Sequence, residues 1–359
     1  MKKIILLFLL LTNMTFASDL DFKIGQMIII GFNGNSVNSF GFKKVLKQIK
    51  NNEISGVLLF SKNIKSKEDL INMNKKLTKS ASITPFVSID NEGGIVQRYD
   101  FYKHKSAQEV SKLDEFEAKE EYKKLALAQK ELGINLNFAP CVDLEINPNS
   151  IIKKKERSYG IEPETVSKYA EIFIKEHNKI KIATSIKHFP GHGSVLGDTH
   201  KGFVDATNTF QKEELVPYSN LKHYDKLNMV MVSHIFNSNI DEKFPASLSE
   251  KTIKNLLVNE IGFEGVIVSD DYDMKAIRDN YSLRDIVVNS INSGINLLIF
   301  SNNIETKDGN IAKKIKKIIK KEIELGNIKI EDIDNSYRKI IRLKRRLNSW
   351  NIFAHKEQL

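Results

Sequence analysis

The chain has 359 residues, 41% of them hydrophobic, with 55 Lys and Arg against 45 Asp and Glu, a formal net charge of +10 and a single cysteine. That length is too great for a small module and suits one large barrel or two ordinary domains. One cysteine excludes an internal disulfide, so a large apolar core must supply the stability.

Residues 1–17 read as a secretory leader. Lys2 and Lys3 precede the apolar run Ile4 to Leu11, and Thr15 and Ala17 supply small residues at positions −3 and −1 of a cleavage site. The run falls far below the roughly 20 residues needed to span a bilayer, and no cysteine follows it as a lipoprotein anchor would require. Export, most simply to a periplasm, is the expectation, with residues 18–359 forming one domain.

A β-then-α rhythm follows. Short apolar or β-branched runs at 27–32, 55–60, 85–90, 134–140, 183–189, 229–235, 265–270 and 295–301 read as strands buried on both faces of a parallel sheet. Amphipathic helical patterns separate them at 42–52, 66–81, 115–133, 162–179, 249–262 and 283–294; several begin after Ser or Pro and stop at Gly or Asn. Eight strands alternating with helices predict a single (β/α)8 barrel of the TIM type. A doubly wound open sheet is the alternative, and no dinucleotide glycine fingerprint supports it.

The last helical patterns are basic. In 311–326 the residues Ile311, Ile315, Ile318 and Ile319 repeat at helical spacing, so the intervening lysines form the solvated face of a packed helix. Residues 331–348 read as a final helix on the outside of the barrel. The basic runs lack interleaved aromatics, so no nucleic-acid partner is expected; a weak attraction to anionic cell-envelope polymers is.

The ionisable residues gather at strand ends. Asp90 closes the third strand, Lys187 and His188 the fifth, His234 the sixth, and Asp270 with Asp271 the seventh. In a barrel those ends converge on one face, where chemistry is done. Beyond the fifth strand, Pro190, Gly191, Gly193 and Gly197 open a loop that carries Asp198-Thr199-His200. A carboxylate two residues from an imidazole can accept its Nδ1–H and fix its tautomer, leaving the ring to pass a proton to a leaving group. Of Asp270 and Asp271, one is expected to be catalytic and the other orienting. A zinc site built from His188, His192, Asp198, His200 and His234 is the rival reading. His188 and His192 flank Pro190-Gly191, however, and Lys187 repels a cation, so neither metal nor cofactor is expected.

The segment KHFPGHGxxxxDxH at 187–200 resembles the signature of the single-domain β-N-acetylglucosaminidases (β-hexosaminidases) of glycoside hydrolase family 3, which act in bacterial peptidoglycan turnover. IGQMIIIGF, GVLLFSKNI, VSIDNEGGIVQR, LGINLNFAPCVDLEINP, ERSYG, MVSHI with FPASLS, and GFEGVIVSDDYDMKAI appear in the family's order. The resemblance implies Asp270 as nucleophile, His200 as acid/base paired with Asp198, and Asp90, Arg157, Lys187 and His188 as ligands of the sugar hydroxyls. Arg98 either joins them or braces Glu92 or Asp90. It implies a retaining exo-hydrolase releasing N-acetylglucosamine from peptidoglycan-derived saccharides. A family 3 β-glucosidase, a phosphorylase and a non-catalytic peptidoglycan-binding protein are the alternatives. One departure stands out: Ile95 occupies the place of the first Arg in the family's EGGRVQR.

Overall fold

The computed structural model describes residues 19–223, 227–302 and 310–347; the expected leader lies outside them. Eight strands form a closed barrel: β1 (Ile28–Gly31), β2 (Gly56–Leu59), β3 (Phe86–Ile89), β4 (Leu136–Asn137), β5 (Ala183–Phe189), β6 (Met229–Val232), β7 (Val266–Asp271) and β8 (Leu297–Phe300). Each pairs in parallel with the next, and β8 returns to β1. Nearly every strand residue is buried, because barrel-filling side chains cover one face and helices the other. One continuous apolar core results, with side chains such as Ile29, Val87, Val230 and Leu298 at most 1% exposed. Each such residue contributes about 1.5–3 kcal/mol relative to exposure, which is how the fold holds without a disulfide.

The helices follow their local signals. Helix α1 (Phe40–Lys50) follows β1, and α2 (Lys67–Ser80) starts where Ser66 Oγ accepts the Asp69 N–H at 3.1 Å. Helix α3 (Glu115–Glu131) opens with a reciprocal Asp114–Glu117 capping box, and α4 (Pro163–Lys179) with proline in its first turn. Helix α5 (Lys251–Glu260) winds as a π-helix, and α6 (Leu283–Ser293) ends at left-handed Gly294. Helices α7 (Ile311–Glu324) and α8 (Ile330–Leu347) close the described chain.

Two expectations need correction and a third is extended. The fourth strand shrinks from 134–140 to Leu136–Asn137 because asparagine side chains replace ladder bonds: Asn135 Oδ1 accepts from Val87 N at 2.8 Å and Asn137 Oδ1 from Asn91 N at 3.0 Å. The sixth strand stops at Val232, where Ser233 turns its N–H and hydroxyl onto Phe189 O, so His234 stands two residues beyond the strand. The final helix does more than pack on the outer wall. Its Lys339 Nζ reaches Gly265 O at 3.1 Å, and its Lys344 Nζ reaches Gln26 Oε1 and Ser55 O at 2.8 Å each, across the N-terminal ends of β7, β1 and β2.

A second, small apolar cluster (Val195, Val204, Ala206 and Ile235, with Phe210 against it) lies under the loop that leaves β5. It supports the Asp198–His200 segment independently of the barrel core.

Candidate active site

Asp90 follows β3 directly, and the turn after it is fixed by β4. Asn137 Oδ1 accepts the Asn91 N–H, and its Nδ2 donates to Asn91 O at 2.9 Å. The chain then reverses through Gly93, at φ 97°, where an added Cβ would fall 2.1 Å from Lys105 O. Asp90 and Glu92 are thereby set beside Lys187 of β5, whose Nζ lies 2.8 Å from Asp90 Oδ1 and 2.7 Å from Glu92 Oε1.

Arg157 completes this network. Its Nε and Nη2 donate to Glu92 at 2.9 and 2.8 Å, and Nη2 also lies 3.2 Å from His188 Nε2. A guanidinium only donates, so the His188 Nε2 lone pair accepts and the ring proton sits on Nδ1. That proton goes to Asp143 Oδ2 at 2.6 Å. Arg98 stands further out, 3.7 Å from Asp90 Oδ2 and over the Phe60 ring. The Lys187–His188 peptide is cis, and the β5–β6 pairing is irregular between Ile186 and Phe189.

All five residues expected to bind sugar therefore belong to one connected set. Two carboxylates without an expected role, Glu92 and Asp143, hold it together. Each reads in sequence as an ordinary loop acid, and its partner stands 65 or 45 positions away. One signal was available for Glu92: it follows Asp90 by two residues at a strand end, the spacing that repeats a face. Burial opposes ionisation of Glu92, but Arg157 and Lys187 outweigh it and keep the carboxyl well below the usual range. For Asp143, burial is likewise outweighed by His188 and His192.

Asp270 and Asp271 stand in two different environments. Asp271 Oδ1 accepts the Ser301 N–H at 2.9 Å and the Asp273 N–H at 3.0 Å, and burial beside Asp273 pushes its carboxyl up. Asp270 bonds only the Asp271 N–H, at 2.8 Å, among the described contacts. Burial disfavours its charge, yet His234, His188 and His200 together keep Asp270 below the usual carboxylate range.

Asp198 and His200 form their own pair on the rim. His200 Nδ1 lies 2.9 Å from Asp198 Oδ1, and the imidazole is 68% exposed. Thr199 O accepts the Ala276 N–H at 3.3 Å, which ties this segment to the chain beyond β7. Burial raises the Asp198 carboxyl, but hydrogen bonds from the His200 backbone and ring more than offset it.

The five residues weighed as zinc ligands do not converge. His234 spends Nε2–H on Asp271 O at 2.9 Å and accepts from Ser247 Oγ at 2.7 Å on Nδ1. His192 is buried, its backbone N–H on Asp143 Oδ1 at 2.8 Å. Among the described residues, the group close enough to share an ion is Cys141, Asp143 and His188. There Asp143 Oδ2 already accepts from both His188 and the Cys141 thiol, the latter at 3.2 Å.

The arrangement offers three functions at one barrel mouth: a balanced polar basket, an ionised carboxylate facing imidazoles, and a carboxylate-oriented imidazole open to solvent. The pattern of the glycosyl hydrolase family 3 N terminal domain matches residues 19–343. A β-hexosaminidase of Actinobacillus pleuropneumoniae serotype 3 is 33% identical over 267 residues, spanning 70% of this chain and 75% of that protein. One from Photobacterium profundum is 29% identical over 271 residues, or 72% of this chain and 77% of its own. Among solved structures, a glycoside hydrolase family 3 β-N-acetylglucosaminidase from a Paenibacillus species superposes with TM-score 0.83 at 27% identity, covering 91% of this chain and 62% of that one. The β-N-acetylhexosaminidase of Beutenbergia cavernae shares the fold, with TM-score 0.81 at 24% identity over 90% of this chain and 98% of its own.

Proposed function

The chain belongs to glycosyl hydrolase family 3, and on that premise we propose that it is a retaining exo-β-N-acetylglucosaminidase acting on peptidoglycan-derived saccharides. It is a glycoside hydrolase of the β-hexosaminidase kind; the stereochemistry, the residue roles and the substrate are the proposal. The observation that carries it is the Asp198-paired His200 imidazole on the loop beyond β5, tied through Thr199 to the chain beyond β7, the strand that presents Asp270.

In this reading Asp90, Lys187, Arg157 and His188 hold the terminal sugar through its hydroxyls, with Arg98 braced on Asp90. Charge-assisted hydrogen bonds suit that task because they fix the orientation of vicinal hydroxyls. Asp270 attacks the anomeric carbon as the glycosidic C–O bond breaks, and His200 gives its proton to the departing oxygen. A covalent glycosyl-enzyme results. His200, now with a free lone pair, takes a proton from water, whose oxygen displaces Asp270 and leaves the configuration retained. Asp198 holds the ring through Nδ1 and offsets its charge whenever it is protonated.

The test combines an aryl β-N-acetylglucosaminide with early NMR spectra of the released sugar. The β anomer should appear first, and Asp270→Ala or His200→Ala should lose most turnover, about 100-fold or more. First appearance of the α anomer, or near wild-type rates in either variant, would overturn the mechanism.

Export to the periplasm through residues 1–17 belongs to the same proposal, since it would bring the enzyme to the cell wall. A contact with anionic envelope polymers fits the charge distribution. Residues 311–347 contain thirteen Lys and Arg but five Asp and Glu, which accounts for the whole net charge of residues 18–359. Apart from Lys339 and Lys344, which turn under the barrel, these side chains give helices α7 and α8 a basic surface, and binding to isolated cell walls should weaken as salt screens it.

A further inference from the structure

The loop bearing Asp198 and His200 leaves β5 through Pro190–Ser194, and its stem rests on a carboxyl that the mechanism above leaves unused. Glu214, 1% exposed, lies in the turn Lys212–Leu215, distant in sequence from the strand ends. Its Oε2 accepts the Gly193 N–H at 2.8 Å. The packing is close: a Cβ on Gly191, at φ +147°, would fall 2.5 Å from Glu214 Cβ. Opposite it, Asp143 Oδ1 accepts the His192 N–H at 2.8 Å, and Asn147 N donates to Gly193 O at 3.0 Å. A Cβ on Gly193 would lie 1.7 Å from Leu144 O.

The stem is thus clamped between Glu214 on one side and residues 143–147 on the other. Beyond the clamp the loop opens to solvent, with Leu196 63% exposed. An exposed loop keeps an imidazole in position only if its stem is fixed. The barrel ladder ends at Phe189, so that fixing falls to contacts outside the ladder. Glu214 Oε1 is buried, as are Ser194 Oγ and His192 Nδ1, and the Ser194 hydroxyl favours the Glu214 carboxylate. Burial pushes the Glu214 carboxyl up to about 7. A surface acid serving only solubility would show neither feature.

We propose that Glu214 is a positioning residue: by holding Gly193 it sets the loop so that His200 reaches the glycosidic oxygen. The inference rests on the reading of His200 as acid/base. Glu214 touches neither sugar nor reacting atoms, so its removal should impair proton delivery and leave sugar binding intact.

The experiment uses aryl β-N-acetylglucosaminides whose leaving groups differ in acidity, because a poor leaving group needs the proton and a good one does not. For Glu214→Ala, kcat/KM should fall roughly 10- to 100-fold on the poorest leaving group and less than about threefold on the best. Inhibition by free N-acetylglucosamine should stay within about twofold. Glu214→Gln keeps an acceptor oxygen for Gly193 and should remain within about threefold of wild type on every substrate. Glu214→Asp, one methylene shorter, should follow the Ala pattern and serves if Ala fails to fold. A loss equal across leaving groups, a parallel loss of N-acetylglucosamine binding, or wild-type rates on the poorest leaving group would overturn the assignment. His200→Ala runs in the same series. If it shows no leaving-group dependence, the acid/base reading itself fails; if it does and the Glu214 variants do not, only the positioning role fails.

Discussion

Arg157 grips Glu92 through two hydrogen bonds of 2.9 and 2.8 Å, with the side chains only 13% and 4% exposed. Lys187 gives the same carboxylate a second cation at 2.7 Å. Breaking a buried pair by removing one charge typically costs about 3–5 kcal/mol, because the remaining charge stays desolvated and unpaired. Glu92→Gln keeps the shape but leaves Lys187 with Asp90 as its carboxylate partner and takes from Arg157 the charge of the carboxylate it grips. It should lower unfolding free energy by about 3 kcal/mol and raise KM, because Lys187 and Arg157 lose their orientation. Urea unfolding measures the first effect; a midpoint equal to that of wild type would remove this network from the account of stability.

The same geometry fixes an acid limit. Glu92 and Asp143 are both held below the usual carboxylate range, burial being outweighed by Arg157 and Lys187 in one case and by His188 and His192 in the other. The folded protein therefore binds fewer protons than the unfolded chain as pH falls through the unfolded values near about 4. The stabilisation is fully present above that range and is lost toward the depressed folded values. The contribution of these two carboxylates should hold from neutral pH to about 5 and then drop steeply. Glu92→Gln, which has no proton to gain, should show a shallower drop; parallel curves for the two proteins would contradict the assignment.

Ile95 is 61% exposed in the turn between Glu92 and Arg98, at the place where the family pattern has arginine. An apolar side chain there offers no cation to a saccharide that carries an acidic group. Ile95→Arg should lower KM by roughly twofold to fivefold, the worth of an exposed ion pair, for saccharides carrying an acidic group beside the terminal sugar. For neutral aryl substrates KM should stay the same, and kcat should not change for either class. Equal changes for neutral and acidic substrates would show that Ile95 acts by packing.

The barrel was legible because eight apolar runs recur between amphipathic helices, and because strands buried on both faces leave that pattern. The candidate site was legible where ionisable residues stood at the ends of such runs, as at Asp90, Lys187 and Asp270. Glu92, Asp143 and Glu214 were not. Each is an acid in a loop, where Asp and Glu are ordinary, and each acts through a partner brought near only by barrel closure. Gly193, for instance, meets Glu214 across 21 positions and a strand end. The length of β4 was hidden for a related reason: Asn135 and Asn137 replace backbone bonds with side-chain ones, which an apolar pattern does not register.

Lys344 supplies a last prediction at the opposite end of the barrel. Its ammonium is buried, with Gln26 Oε1 and Ser55 O at 2.8 Å and the Phe86 ring beneath it, so burial pushes its pKa down to about 7. In the unfolded chain a lysine titrates near about 10.4. Between those values the unfolded state carries a proton that the folded state has released, so unfolding free energy rises with pH. Below about 7 both states are protonated and the cost of burying the charge is constant. Wild-type protein should therefore gain stability from pH 7 to pH 9, while Lys344→Met, of similar length and without a titrating group, should not. Urea unfolding at pH 7, 8 and 9 compares the two, and the same slope in both would mean that Lys344 keeps its proton throughout.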